Sequence, residues 1–225
     1  MDPAPATELT LVEVEGLMPG ASNATLLARD HLGRPWVYKP ARGEQPLWDF
    51  PPGTLGRREI ASYRLSVALG LEVVPPTLVA EGPYGSGSAQ RFLQEDFDWD
   101  PRSLIVGADP VLWPVVILDL LANNADRKIG HLLREPGEEQ VWAIDNGLTF
   151  HTDDKLRTVM WSFAGETIPP EFVDRLDPEQ AANAVADLLE RTEIEALRTR
   201  VGAVRENPVH PPPPVHRPPM PWPVW

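Results

Sequence analysis

The chain has 225 residues, a formal net charge of −13 and no cysteine, and 42% of its residues are hydrophobic. This composition suits one ordinary domain or two small lobes, argues against nucleic-acid or anionic-membrane partners, and excludes disulfides and zinc–thiolate sites. Because it holds no apolar stretch of about 18 residues and no evident N-terminal secretory signal, we expect a cytoplasmic protein without a transmembrane segment.

The first half of the chain predicts a small sheet with one helix. Strands are expected within residues 11–40, where turn-forming residues break the pattern twice, and again in residues 72–80 and 89–95. A helix is expected from about residue 57 to residue 69, since Gly70 can close it.

The second half predicts mostly helices. The apolar series from Val111 to Leu121 is typical of a buried helix, and two short strands after it form a hairpin around the turn-prone residues 135–139. A short helix is expected near residues 170–176 and a longer one from about 178 to 204.

The tail of the chain, residues 207–225, is nearly half proline. Such a composition favours extended polyproline II or disorder. We expect a linker or an unstructured end. The alternative is a docking peptide, for a partner or for the protein's own surface, which Trp222 and Trp225 favour.

Two short segments carry most of the functional signal. Residues 123–131 place Asp126 in a loop after the buried helix, and residues 143–147 place Asp145 after an apolar strand. The hairpin between them brings His131 back beside Asp145. Kinases use a similar arrangement, two carboxylates and one further ligand near a hairpin, to hold magnesium on a triphosphate.

The order of the elements is that of a protein-kinase-like fold: strands with a lysine, a helix with a glutamate, a buried helix, an aspartate loop, a hairpin and a second aspartate. In that order Lys39 holds the α- and β-phosphates and Glu59 fixes the lysine. Asp126 orients the acceptor hydroxyl, and Asp145 holds the metal. The predicted fold class is α+β, with an N-terminal antiparallel sheet plus helix and a mostly helical C-terminal lobe.

The predicted organisation has four parts. They are an N-terminal extension (residues 1–10), a nucleotide-binding N-lobe (11–96), a catalytic and metal-binding C-lobe (97–205) and the proline-rich tail (206–225). The loop that covers the phosphates is expected around Ser22 and Asn23, although it lacks a full Gly-x-Gly pattern.

Several candidates also have a plainer interpretation. Asp-Asn-Gly at 145–147 is a strong turn sequence, and a strand-end lysine such as Lys39 often only extends its head to solvent. Glu59 could belong to a solvated helix face, and His131 could be a structural histidine that begins a strand.

The pattern Asn123-x-x-Asp126-Arg127, followed across the hairpin by Ala-Ile-Asp-Asn-Gly-Leu-x-Phe at 143–150, resembles the catalytic core of phosphatidylinositol 3/4-kinase-like proteins. The resemblance is closest to type II phosphatidylinositol 4-kinases and looser to HipA-like kinases. As a whole the chain resembles an uncharacterised actinobacterial group described as phosphatidylinositol-kinase-like.

The resemblance covers about residues 15–165 and implies a site that uses ATP and Mg²⁺. It implies that Lys39 binds the phosphates, that Asp126 is the catalytic-loop acid and that Asp145 is the metal aspartate. Leu93, Gln94 and Glu95 would form the hinge beside adenine.

Two features depart from that family. An asparagine usually stands five residues after the catalytic aspartate, where it binds a second metal ion, but this chain has His131. Because imidazole suits manganese better than magnesium, we expect Asp145 and His131 as metal ligands and Mn²⁺ as an alternative to Mg²⁺. The chain after Asp145 is also short, so the C-lobe is small.

The sequence therefore predicts an ATP-dependent phosphotransferase that acts on a hydroxyl of an unidentified protein, small-molecule or lipid acceptor. No basic amphipathic helix supports a membrane contact. Two alternatives remain: a nucleotide-binding pseudokinase or adenylyl-transferring module, and a non-enzymatic protein that binds a partner through its proline-rich tail.

Overall fold

The structure is a computed structural model that describes residues 8–18 and 24–225. The predicted phosphate-loop residues Ser22 and Asn23 lie outside the described residues. The strands are β1 (Glu8–Leu17), β2 (Leu26–Asp30), β3 (Pro35–Pro40), β4 (Thr77–Gly82), β5 (Gly85–Arg91), β6 (Leu132–Leu133) and β7 (Trp142–Ala143). The helices are α1 (Leu55–Ala68), α2 (Arg102–Val106), α3 (Trp113–Ala122), α4 (Pro170–Val173), α5 (Pro178–Ala184) and α6 (Arg191–Glu206).

The first five strands form a closed sheet in the order β1-β2-β3-β5-β4. All neighbours in it are antiparallel except β1 and β4, which close the sheet as a parallel pair. Helix α1 follows β3, and the remaining α-helices come after β5 in the chain. The α+β fold with a sheet-containing first lobe and a mostly helical second lobe is confirmed.

Strand β5 begins and ends earlier than the predicted strand at 89–95, and its first half is glycine and serine. A glycine is needed here because β5 approaches β3 closely: a Cβ atom added to Gly87 would lie 2.2 Å from the carbonyl oxygen of Lys39. A glycine-rich strand can therefore form here, although glycine disfavours strands in general. Strand β4 begins only at Thr77, after Pro75 and Pro76.

Helix α3 is the centre of the main hydrophobic core. Nine of its ten residues are buried, and it ends at Asn123, whose φ of +54° is left-handed. Such a C-cap stops the helix and turns the chain into the loop that carries Asp126.

The long helix predicted from 178 to 204 is divided into α5 and α6 in the structure. A capping box between Glu190 and Glu193 starts α6, since each side chain accepts a hydrogen bond from the other's backbone N–H. Glu193 also forms an ion pair with the buried guanidinium of Arg58 in α1. Glu193, in the first turn of α6, therefore links the last helix to α1 in the first lobe.

The predicted hairpin is present as strands β6 and β7, which pair Leu132 with Ala143. Beyond the pair, the Ile144 N–H donates to the His131 carbonyl at 2.9 Å. The hairpin thus brings the backbone of His131 beside the residue that precedes Asp145, as the sequence predicted.

The proline-rich tail runs against the protein's own surface in the structure. The Gly165 N–H donates to the His210 carbonyl at 2.9 Å, and the Thr158 N–H donates to the Pro219 carbonyl at 3.1 Å. His210 is 1% exposed. These contacts match the alternative in which the tail docks on the protein's own surface. A partner that binds the tail stays a prediction.

Within residues 8–18 and 24–225, no helix combines the length and the apolar character that crossing a lipid bilayer requires.

Candidate active site

Lys39, at the end of β3, is held between two carboxylates. Its Nζ lies 2.5 Å from Oε1 of Glu59, a buried side chain in α1, and 2.9 Å from Oδ1 of Asp145. The other oxygen of Glu59 accepts the Asn146 N–H at 3.0 Å. Glu59 therefore fixes both the lysine and the backbone that presents Asp145, and it is not part of a solvated helix face.

The charges in this group reinforce each other. The Lys39 ammonium, helped by His131, holds the pKa of Asp145 well below its usual range. Burial by itself would lower the pKa of Lys39, but the carboxylates of Asp145 and Glu59 outweigh it and raise that pKa. At neutral pH Lys39 is a cation and Asp145 an anion.

The backbone at Asp145 is strained. Its φ is +57°, in the left-handed region that residues other than glycine seldom adopt. Backbone strain of this kind concentrates at functional sites, where the surroundings enforce it. Here the conformation leaves the carboxylate 50% exposed at a cavity.

His131 faces the second oxygen of Asp145, with 3.3 Å between Nε2 and Oδ2. Burial is the main reason that the pKa of His131 falls to about 4, so the imidazole is neutral near pH 7. A neutral imidazole and an ionised carboxylate are both ligand types that divalent cations accept. Among the described residues no three histidine or acidic side chains gather as a metal cluster. In kinases the remaining ligands are phosphate oxygens and water.

Asp126 lies in the loop after α3, and its Oδ2 is 3.1 Å from Nζ of Lys128. Burial raises the pKa of Asp126, an effect that Lys128 opposes. Sequence reasoning missed Lys128, although it is one of only three lysines and stands two residues after Asp126.

Behind these groups lies a second set of polar side chains, all of them buried. Arg127 is 0% exposed, and its Nε lies 3.0 and 3.1 Å from the two oxygens of Asp119. Its other nitrogens donate to the Ile144 carbonyl at 2.8 Å and to Oδ1 of Asn146 at 2.5 Å. One guanidinium thus joins the loop of Asp126 to the segment that carries Asp145.

Asp119 in turn accepts hydrogen bonds from Asn124 Nδ2 at 2.9 Å and from Thr158 Oγ1 at 3.2 Å. We call this second set the buried network: Asp119, Asn124, Arg127, Asn146 and Thr158. The residues in front of it are the cavity cluster: Lys39, Glu59, Asp126, Lys128, His131 and Asp145.

All six residues of the cavity cluster line one cavity of about 530 Å³. Ala24 and Thr25, which follow the predicted phosphate loop, line it as well. Leu93, Gln94 and Glu95 do not, so their contact with adenine stays a prediction.

Two further lining residues were not found from the sequence. Glu44 accepts the Gly56 N–H through Oε1 at 3.1 Å, while its buried Oε2 has no hydrogen-bond partner among the described residues. Trp225, from the tail, lies at the same cavity. The predicted boundary between the C-lobe and the tail at residue 206 stays a prediction.

No protein-family model matches the chain. Protein Rv2133c of Mycobacterium tuberculosis is 36% identical over an alignment of 262 positions, which covers 97% of this chain and 92% of that protein. The chain belongs to the family of Rv2133c. That name carries no activity.

Solved structures show which fold this family has. The Helicobacter pylori proinflammatory kinase CtkA is 14% identical with a TM-score of 0.56, covering 91% of this chain and 95% of CtkA. The Golgi casein kinase with Mn and ADP bound is 16% identical with a TM-score of 0.58, covering 88% and 72%. Hydra Fam20 with sugar is 14% identical with a TM-score of 0.53, covering 89% and 83%. The fold is therefore kinase-like. These similarities do not show that the chain belongs to the phosphatidylinositol 3/4-kinases.

Proposed function

We propose that this chain is an ATP-dependent phosphotransferase of the phosphatidylinositol-kinase-like type. The observation that carries the proposal is the contact of Lys39 with both Glu59 and Asp145, since kinases need a lysine–glutamate ion pair and a metal-binding aspartate in place together. The kinase-like fold supports it, and so does the Mn and ADP found in one structure of that fold.

In this proposal Lys39 binds the α- and β-phosphates of ATP, and Glu59 keeps the lysine in place. Asp145 and His131 hold Mg²⁺ or Mn²⁺, which when bound would offset negative charge on the phosphates. The ion pair between Lys39 and Asp145 places the positive and negative groups of the site side by side, where both can act on the phosphates and the metal ion.

The acceptor hydroxyl is oriented by the carboxylate of Asp126. The oxygen of the acceptor hydroxyl forms a bond to the γ-phosphorus of ATP while the bond between that phosphorus and the β,γ-bridging oxygen breaks, which releases ADP. The proton of the hydroxyl passes to Asp126. Lys128, 3.1 Å from Asp126, supplies positive charge next to the transferred group.

The acceptor is proposed to be a protein, a small molecule or a lipid. The net charge of −13 opposes approach to an anionic lipid surface, so the first two suit this chain at least as well as the third. A cytoplasmic location fits these acceptors.

A second candidate is a nucleotide-binding protein that transfers no phosphoryl group. The contact between His131 and Asp145 favours it, because a histidine replaces the expected asparagine at the metal. This candidate predicts ATP binding without ADP formation. Transfer of the adenylyl group would instead release pyrophosphate.

The test is thermal unfolding with and without ATP, in Mg²⁺ and in Mn²⁺, for the parent chain and for Asp145→Ala. At about 100 times the dissociation constant, ATP should stabilise the parent by roughly 2.7 kcal/mol. For a chain of this size that is a rise in Tm of about 5–10 °C.

A metal-dependent rise that Asp145→Ala abolishes would support the nucleotide site. Analysis of the products by phosphorus NMR would then separate the phosphotransferase from its alternatives. No rise with either metal would contradict every nucleotide-based function for this chain.

A further inference from the structure

We propose that residues Pro219–Trp225, which we call the strap, are a component of the active site. The strap holds the catalytic loop through the Val224 carbonyl, and Trp225 forms a wall against which the bound nucleotide lies. The first role stands on contacts alone, whereas the second rests on the proposed function.

The strap is anchored at its beginning. The Pro219 carbonyl accepts two hydrogen bonds, one from the Thr158 N–H at 3.1 Å and one from Nε1 of Trp161 at 2.8 Å. Pro221 is buried. Because the Thr158 hydroxyl also donates to Asp119, this anchor lies directly on the buried network.

The far end of the strap meets the catalytic loop. The Val224 carbonyl accepts the Ile129 N–H at 2.9 Å, and the Val224 side chain packs at the edge of the main core. Ile129 is the first residue of a 3₁₀ turn that ends at His131. The first N–H groups of a helical turn have no partner within the turn. The Val224 carbonyl supplies a partner for the Ile129 N–H, in the segment between Lys128 and His131.

Trp225 then lies at the cavity itself. It shares the lining with Asp126, Lys128 and Gly130, and its side chain is 62% exposed. Its ring centroid lies 5.5 Å from Cζ of Arg102, at the start of α2.

That position favours the nucleotide as the occupant beside the indole. Trp225 contacts Arg102 of α2 on one side and shares the cavity with the catalytic loop on the other. Helix α2 begins seven residues after Glu95, the last residue of the predicted adenine hinge. An aromatic face that remains open to a cavity is suited to stack on a nucleotide base or sugar.

The positioning role is tested by hydrogen exchange of the Ile129 amide, followed by NMR in the full chain and in a chain that lacks Val224 and Trp225. That deletion keeps the Pro219 anchor. We expect exchange to become at least about tenfold faster at Ile129 in the deletion, while amides of α3 stay protected. Equal exchange in both chains would overturn the positioning role.

The nucleotide role is tested by calorimetric titration with β,γ-imido-ATP and Mg²⁺. Trp225→Ala should weaken binding roughly tenfold, Trp225→Phe should restore most of it, and the Ile129 amide should stay protected in both. Trp48→Ala is the matched control, because Trp48 lies outside the strap, is 92% exposed and does not line the cavity.

Equal affinity in Trp225→Ala and the parent would overturn the nucleotide role and leave the proposed function standing. A parent that does not bind the analogue would overturn both. The exchange result decides the positioning role in either case.

Discussion

The cavity cluster and the buried network both draw residues from the two short segments 123–131 and 143–147, but they have opposite characters. Arg127 is 0% exposed and is bonded to Asp119, Asn146 and the Ile144 carbonyl, so a ligand in the cavity does not reach it. Asp145, only one residue before Asn146, is half-exposed and strained at a cavity. Neighbouring residues of one motif thus have different roles: one set fixes the loops and the other faces the cavity.

Removing the centre of the buried network should have the largest effect on folding. Arg127→Met leaves the Asp119 carboxylate buried without its cation, and breaking a buried pair from one side costs about 3–5 kcal/mol. Urea denaturation should show this loss in the free energy of unfolding. The control is Arg205→Met, at an exposed position near the end of α6, which should change it by less than about 0.5 kcal/mol.

Removing the negative charge of Asp145 should act on turnover instead. With Asp145→Asn we expect transfer to fall by about 100- to 1,000-fold, the size of losing one electrostatic contact to the transition state. Lys39 keeps its pair with Glu59, so the unfolding midpoint should change little. Retained turnover would contradict the division between the two regions, and Asp98→Asn at the surface provides the matched control.

Glu59 belongs to the cavity cluster but contacts both regions. Glu59→Gln removes a charged acceptor from Lys39 and from the Asn146 N–H, so we expect a loss of about 1.5–3 kcal/mol in the free energy of unfolding and weaker ATP binding. Chemical denaturation and nucleotide titration of the same preparation measure the two effects. The exposed Glu206→Gln should show neither; an effect confined to one readout would assign Glu59 to one region only.

Lys128 allows the smallest and most specific test. Its ammonium opposes the burial that raises the pKa of Asp126, so Lys128→Met should raise that pKa further. Because Asp126 accepts a proton only as the carboxylate, the acidic limb of the pH–turnover profile should move up by about one pH unit. Lys155→Met removes a lysine that pairs with Asp49 and should leave the limb in place.

Features of the fold that depend on local pattern could be predicted from the sequence. Periodicity gives the buried helix α3, and turn residues give the hairpin that returns His131 to Asp145. The strand Gly85–Arg91 could not be predicted in this way, because glycine has a low intrinsic strand propensity. Glycine is required at Gly87 by the close approach of the neighbouring strand.

The site divides along the same line. Lys39, Asp126 and Asp145 stand in motifs, and the structure brings all three to one cavity. Glu44 and Trp225 could not be found, since each reaches the cavity through contacts with residues distant in sequence. Composition alone made the tail look like a linker, because a proline-rich segment shows no periodicity that would predict the surface on which it packs.

The docked strap also determines where a longer chain would lead. Since the Val224 carbonyl accepts a hydrogen bond from Ile129 and Trp225 lies at the cavity, any residue added after position 225 begins at the mouth of that cavity. A histidine-rich affinity tag attached there would sit beside Lys128 and His131, where it would compete for any metal ion that the proposed site binds. Tags for functional work therefore belong at the other end of the chain.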